Sequence, residues 1–145
     1  MLTLKKMESQ TPGKIFNNSK ITKIISLRKG RTKIGARYVV AKTSTPDLYY
    51  GKAPVYDTSI LVLKRKPGAV KVPLKNLRIS QAYVKVACSC PYFTFWGCEV
   101  PLYKSDAADI FYSNGKDPNI RNPAQRRWVC KHLLVLFKKC AFEGL

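Results

Sequence analysis

The segment that decides the fold runs from Gln81 to Cys90 and reads "QAYVKVACSC". Its residues alternate in character, which indicates a β-strand, because successive side chains leave a strand on opposite faces. One face carries Ala82, Val84, Val86, Cys88 and Cys90, and the other carries Tyr83, Lys85, Ala87 and Ser89. The sequence therefore predicts a half-buried strand whose last two inward positions are cysteines.

A second segment, "VCKHLLVLF" (129–137), holds Cys130 and His132, the only histidine of the chain. Apolar residues recur here at helical spacing, namely Val129, Leu133, Leu136, Phe137 and Cys140. Residues two apart on a regular helix point about 200° apart. The pair therefore converges only if Cys130 precedes the helix and His132 lies in its first turn. Upstream, Asn122 and Pro123 are residue types that start helices, and they predict an initial turn there.

The cysteine pair and the cysteine–histidine pair make one set of possible metal ligands, Cys88, Cys90, Cys130 and His132. Three thiolates and an imidazole complete a tetrahedron around zinc and leave no open position, which is typical of a structural site. The alternative interpretation is that these residues are small members of the core. Cys98 is the rival candidate for a ligand position, whereas Cys140 lies on the apolar helix face and is expected in the core.

Strand periodicity also precedes the first cysteine pair. Alternating or β-branched stretches lie at 20–28, 36–43 and 56–66, turn signals lie at 28–31 and 66–70, and a further short strand is expected near 70–73. The predicted fold class is α+β. It consists of an antiparallel β-meander of four or five strands followed by a zinc-clamped C-terminal helix.

Composition divides the chain into three regions. Residues 1–20 form a basic N-terminal arm, which is expected to be loose because it is polar and holds turn-forming residues. Residues 21–80 form a basic antiparallel β region. Residues 81–145 form the zinc-binding region, with a long insert at 91–129.

The charge is large and uneven. The formal net charge is +19, from 27 Lys and Arg against 8 Asp and Glu, and residues 1–87 hold 19 of the basic residues but only three of the acidic ones. Such a field favours a polyanionic partner, either nucleic acid or an acidic protein surface, and a solvated surface that keeps the protein soluble is the plain alternative. The candidate anion-binding residues are Arg28, Lys29, Arg31, Lys33, Arg37, Lys64, Arg65, Lys66, Lys71, Arg126 and Arg127.

Other classes of protein fit the sequence poorly. No apolar run approaches the roughly 20 residues that span a bilayer, and the first residues lack the apolar segment of a secretory signal. A cytoplasmic, reducing compartment is therefore expected, where clustered cysteines bind metal more often than they form disulfides. With His132 assigned to zinc, no histidine is left as a general base, and no phosphate-binding glycine loop occurs. We expect no enzyme activity, no small-molecule substrate and no membrane partner.

The order C-x-C, spacer, C-x-H, here "CSC", residues 91–129 and "CKH", resembles the SWIM zinc finger over about residues 81–140. The resemblance implies a ββα zinc fold with one zinc ion on the four residues of the proposed ligand set. The spacer is longer than in that family, so the resemblance does not define the path of residues 91–129. SWIM domains are associated with DNA binding and with protein interaction.

The stretches "DIFYSNG", "RNP" and "CKHL" are together similar to small SWIM-type proteins of large tailed bacteriophages. That similarity implies a location in the virion, and the cytoplasm is expected otherwise. The first functional hypothesis is a zinc-stabilised virion or assembly component that contacts neighbouring subunits or DNA through its basic surface. The alternative is a SWIM-type nucleic-acid-binding protein that contacts the phosphates of DNA or RNA largely independently of sequence.

Overall fold

Four strands and five helices make up the part of the chain that the computed structural model describes, which is residues 1–46, 53–95, 97–118 and 120–145. The strands are β1 (Lys23–Arg31), β2 (Arg37–Ser44), β3 (Val55–Arg65) and β4 (Ala82–Cys88). The helices are α1 (Leu4–Gln10), α2 (Gly13–Ser19), α3 (Pro91–Phe95), α4 (Glu99–Lys104) and α5 (Lys131–Phe142). Two short 3-10 helices, Leu74–Asn76 and Ile79–Gln81, connect β3 to β4.

The strands form one antiparallel sheet in the order β1-β2-β3-β4, which is a meander. With helix α5 after the sheet, the α+β class is confirmed. Residues 70–73 form no strand, so the sheet has four strands and not five. The boundary expected at residue 80 falls between two strands of this sheet, since β3 pairs directly with β4. None of the helices in the described residues is long and apolar enough to cross a membrane.

The first hairpin turns later than the sequence suggested. Residues 28–31, expected as a turn, belong to β1, and the chain reverses over residues 32–35. Gly35 has a φ of 86°, in the left-handed region that favours glycine. Gly30 stays in the strand because the ring of Tyr38 lies across it, and a Cβ at Gly30 would stand 2.2 Å from the Tyr38 hydroxyl oxygen. The glycine that suggested a turn instead allows a close contact within the sheet.

Helix α5 lies against the sheet and closes the core. Val84, Val86 and Ile60 of the sheet are at most 2% exposed and belong to one hydrophobic cluster with Leu133 and Phe137 of α5. The alternation predicted for residues 81–90 is confirmed, with Ala82, Val84, Val86, Cys88 and Cys90 buried and Tyr83, Lys85 and Ser89 partly exposed. Ala87 is the exception on the outer face, since it is buried as well.

Residues 1–20, for which we expected a loose arm, form α1 and α2 instead. The two helices bury Leu4, Met7 and Ile15. Thr3 caps α1, since its side chain accepts a hydrogen bond from the Lys6 N–H at 3.2 Å. The expectation rested on polar composition, but Leu4 and Met7 stand three residues apart and so share one helical face. That face packs into the core and holds the segment in place.

Within the insert, the irregular segment after α4 is held by a buried carboxylate. Glu99 is 0% exposed. Its carboxylate accepts hydrogen bonds from the main-chain N–H groups of Tyr112 at 3.3 Å and Ser113 at 2.9 Å. These bonds compensate the burial of the charge and fix the path of residues 105–113 against α4.

Asn122 does not start a helix as expected. Helix α5 begins at Lys131, eight positions later than an Asn122 cap would place it, and Cys130 is its N-cap. Asn122 is 1% exposed, and its side chain donates to the carbonyl oxygens of Gly97 at 2.7 Å and Arg126 at 2.8 Å. It also accepts the Arg126 N–H at 3.0 Å. Asn122 therefore joins the two ends of the insert.

Candidate metal centre

Four ligand-type side chains meet where β4 ends and α5 begins. The ligand atoms of Cys88, Cys90, Cys130 and His132 all lie within 4.8 Å of one another. Each of these residues is at most 3% exposed. The predicted ligand set is thus brought together by the fold, and the group could hold a metal ion.

The local backbone explains why residues so spaced converge. Cys88 is the last residue of β4, and Cys90 follows two positions later on the same side of the chain. Cys130 is the N-cap of α5, with φ −85° and ψ 169°, so its own backbone is extended. His132 is the second residue of the helix. Cys130 and His132 therefore converge as predicted, because His132 is helical and Cys130 is not.

Burial and mutual hydrogen bonding set the pKa values of the three thiols. Burial raises the pKa of Cys88 and of Cys130 well above the usual range. Hydrogen bonds from Cys130 and Cys88 lower the pKa of Cys90, whose sulfur also accepts the Phe93 N–H at 3.4 Å. A metal ion binds thiolates, so it must displace protons from the buried thiols whose pKa is raised. Metal binding is expected to release protons and to strengthen as the pH rises.

The imidazole of His132 is held from two sides. The ring of Tyr56 meets it edge-on, with 5.0 Å between the ring centroids. Nε2 lies 3.4 Å from Thr45 Oγ1, whereas Nδ1 is buried and has no hydrogen-bond partner in the described residues. Thr45 was not among the sequence candidates, because nothing distinguishes it from the other two hydroxyl residues of "TSTP" (43–46).

The two remaining cysteines lie outside this group. Cys98, the rival candidate, is 0% exposed but is not one of the four residues whose ligand atoms converge. Burial raises its pKa well above the usual range. Cys140 belongs to the hydrophobic cluster, so its expected place in the core is confirmed. Burial raises the pKa of Cys140 to about 11, which is consistent with an inert core thiol.

Most of the predicted anion-binding residues gather at one end of the sheet. Arg31 at the end of β1 faces Arg37 at the start of β2, and Arg65 at the end of β3 faces Ala82 at the start of β4. We call this end, with Lys29, Arg31, Lys33, Arg37, Lys64, Arg65 and Lys66, the basic end of the sheet. Arg28 does not belong to it, because the strand register aligns Arg28 with Ala87, the residue before Cys88. Lys71 follows in the next turn. The Arg37 guanidinium is partly engaged, because it donates to the main-chain oxygens of Lys75 at 3.0 Å and Leu145 at 3.4 Å.

Arg126 and Arg127 lie apart from the basic end, in the segment that precedes α5. The Arg127 N–H donates to Gln10 Oε1 at 2.7 Å, and its Nε donates to Ser105 Oγ at 3.0 Å. The converging ligand group is also remote from the basic end, because β4 starts at the basic end and finishes at Cys88. The sequence candidates thus occupy separate places, with the metal group at one end of the sheet and most of the candidate anion-binding residues at the other.

Comparison of the chain with protein-family models, with curated proteins and with solved structures yields no match.

Proposed function

We propose that Cys88, Cys90, Cys130 and His132 hold one structural zinc ion. The support is the chemistry of the donors, since thiolates and imidazole suit zinc and not the hard cations magnesium and calcium. Burial of all four residues also leaves no opening for a substrate, which catalytic zinc sites require. The ion would join the end of β4 to the start of α5 and so complete a small core.

We further propose that the protein is a SWIM-type, non-enzymatic structural component of a virion or a comparable assembly. The observation that carries this proposal is the separation of the metal group from the basic end of the sheet. A metal placed in this way stabilises the fold, while the positive surface is left to contact neighbouring subunits or packaged DNA. The resemblance to phage proteins supports the choice of a virion.

The test of this proposal is a copy-number measurement. In particles purified from the native source, quantitative mass spectrometry with isotope-labelled peptides should find the chain at a constant ratio to the other particle proteins. Particles that lack the chain, or that carry it at a ratio varying between preparations, would contradict the structural role.

The basic end of the sheet also favours a second candidate, sequence-independent binding of nucleic acid. We predict retention of duplex DNA on filters with an affinity that falls by about 0.9 log units per log unit of salt for each phosphate contact. Replacing both Lys64 and Arg65 with Gln should reduce that slope by about 2, because two contacts are removed. Lys116→Gln, on the exposed surface of the insert, is the matched control and should leave the slope unchanged. Absence of retention even at low salt would exclude this candidate.

A further inference from the structure

A series of hydrogen bonds leads from His132 to the N-terminal helices. His132 Nε2 lies 3.4 Å from Thr45 Oγ1, and Thr45 Oγ1 lies 2.7 Å from Thr22 Oγ1. Thr22 Oγ1 donates to the main-chain oxygen of Asn18, in α2, at 3.4 Å. Both threonines are buried, with 9% and 7% of their surface exposed. These three contacts, which we call the threonine relay, connect a member of the ligand group to residues that the sequence suggested were a loose arm.

The direction of each bond in the threonine relay follows from the protons available. A carbonyl oxygen only accepts, so the Thr22 hydroxyl gives its single proton to Asn18. With that proton donated to Asn18, Thr45 is the donor in the contact between the two hydroxyls, whose geometry by itself allows either direction. In this arrangement Thr45 has no second proton, so it accepts from His132, and Nε2 carries the hydrogen.

This assignment leaves the imidazole lone pair on Nδ1. That atom is buried and has no hydrogen-bond partner in the described part of the chain. A buried polar atom without a partner costs about 1–3 kcal/mol, and a bound cation would satisfy it. Three sulfur ligands lie in the same group as the ring. An ion bound by these sulfurs and by Nδ1 would therefore satisfy the unpaired atom.

We propose that Thr45 and Thr22 are positioning residues of the metal centre, which fix the Nε2–H tautomer of His132 and present Nδ1 to the ion. The inference rests on the proposed metal function and assigns two residues that act on the metal through His132. Partners of this kind orient metal-binding histidines and raise the basicity of the ligand nitrogen.

The threonine relay also implies a thermodynamic coupling between the metal and the N-terminal helices. Coupling between two sites is reciprocal, so a relay that tightens metal binding by a given factor makes the metal stabilise the docking of α2 by the same factor. Hydrogen exchange of the α2 amides should therefore slow when zinc is added. Loss of the Thr45 hydroxyl should reduce that response, and the part that remains reports stabilisation of the fold as a whole.

The decisive experiment compares zinc affinities of threonine variants by competition with a chromophoric chelator. Thr45→Val removes the hydroxyl and keeps the shape, and it should weaken zinc binding by about 10- to 100-fold. Thr45→Ser keeps a hydroxyl and should restore most of the affinity. Thr58→Val is the matched control: Thr58 is also buried and pairs with Cys88 across β3 and β4, but its hydroxyl donates to the Ala41 carbonyl at 3.1 Å, outside the threonine relay. That variant should keep the wild-type affinity.

A second measurement, on the wild-type protein, does not depend on any variant. Long-range ¹H–¹⁵N NMR spectra of the zinc-loaded protein should show a metal-bound Nδ1 and a protonated Nε2 in His132. Zinc bound through Nε2, or equal affinities of Thr45→Val and Thr58→Val, would overturn the inference and leave the metal proposal standing. Wild-type protein that binds neither zinc nor cadmium would overturn both.

Discussion

Cys88→Ser and His132→Ala proteins are expected to lose their zinc and, with it, the folded junction of β4 and α5. The wild type should contain about one zinc per chain by elemental analysis, as a closed four-ligand site does. Structural zinc contributes on the order of 10 kcal/mol in small zinc domains, which is comparable to the whole stability of a typical domain, about 5–15 kcal/mol. Either variant should therefore show less helical circular dichroism and no cooperative thermal transition at the wild-type temperature.

The remaining cysteines provide the matched controls for this experiment. Cys98→Ala and Cys140→Ala also change buried cysteines, but both lie outside the converging group, so each should retain one zinc. Each should cost no more than about 2 kcal/mol, the typical range for loss of one small buried side chain. A Cys98 variant that loses zinc would move Cys98 into the ligand set. Metal-free wild-type protein with undiminished stability would contradict the zinc proposal.

Asn122→Ala is expected to destabilise the protein by about 3 kcal/mol. The reason is that three hydrogen bonds to buried main-chain groups depend on this one amide, and a buried group left without its partner costs about 1–3 kcal/mol. Gly97 packs directly against this side chain, because a Cβ at Gly97 would lie 2.5 Å from Asn122 Cβ. Urea denaturation of zinc-loaded protein, followed by circular dichroism, measures the change.

Two further asparagine variants sharpen that test. Asn122→Asp keeps the shape but replaces both donor bonds with a buried charge, so it should destabilise at least as much as the alanine. Asn114→Ala removes an exposed side chain that accepts only the Lys116 N–H, and it should change the free energy of unfolding by less than about 0.5 kcal/mol. Equal stabilities of the Asn122 and Asn114 variants would show that the amide does not hold the insert.

The strands and the convergence of the four ligand-type side chains were predictable from the sequence, because both depend on the spacing of nearby residues. Strand β4 alternates inward and outward residues without interruption, and its two cysteines continue the inward series. The helical spacing after Val129 fixed where α5 had to begin if Cys130 and His132 were to converge. In both cases the chain geometry of a few consecutive residues contains the relevant information.

Three features that the sequence did not indicate, namely helices α1 and α2, the place of Gly30 in a strand and the threonine relay, depend on contacts between distant segments. Helices α1 and α2 contain only a few apolar residues, and their order comes from packing of Leu4 and Met7 on the core. Gly30 reads as a turn residue until Tyr38 is placed across it. Thr45 and Thr22 are 23 positions apart, and no local pattern links two ordinary hydroxyls over that distance. Tertiary contact decides all three cases.

Because the metal group and the basic end lie at opposite ends of the sheet, charge is distributed unevenly along the strands. Three thiolates and a neutral imidazole around Zn²⁺ carry a net charge of −1, and this charge would lie at the end of β4 that is remote from Arg31 and Arg65. This charge and the basic end of the sheet would then be separated along the strands. The field of a polyanion would orient such a molecule before contact, with the basic end of the sheet toward the polyanion. The orientation of the molecule at a neighbouring surface would thus be set while it approaches. The charges act over about one Debye length, which is near 8 Å at physiological salt.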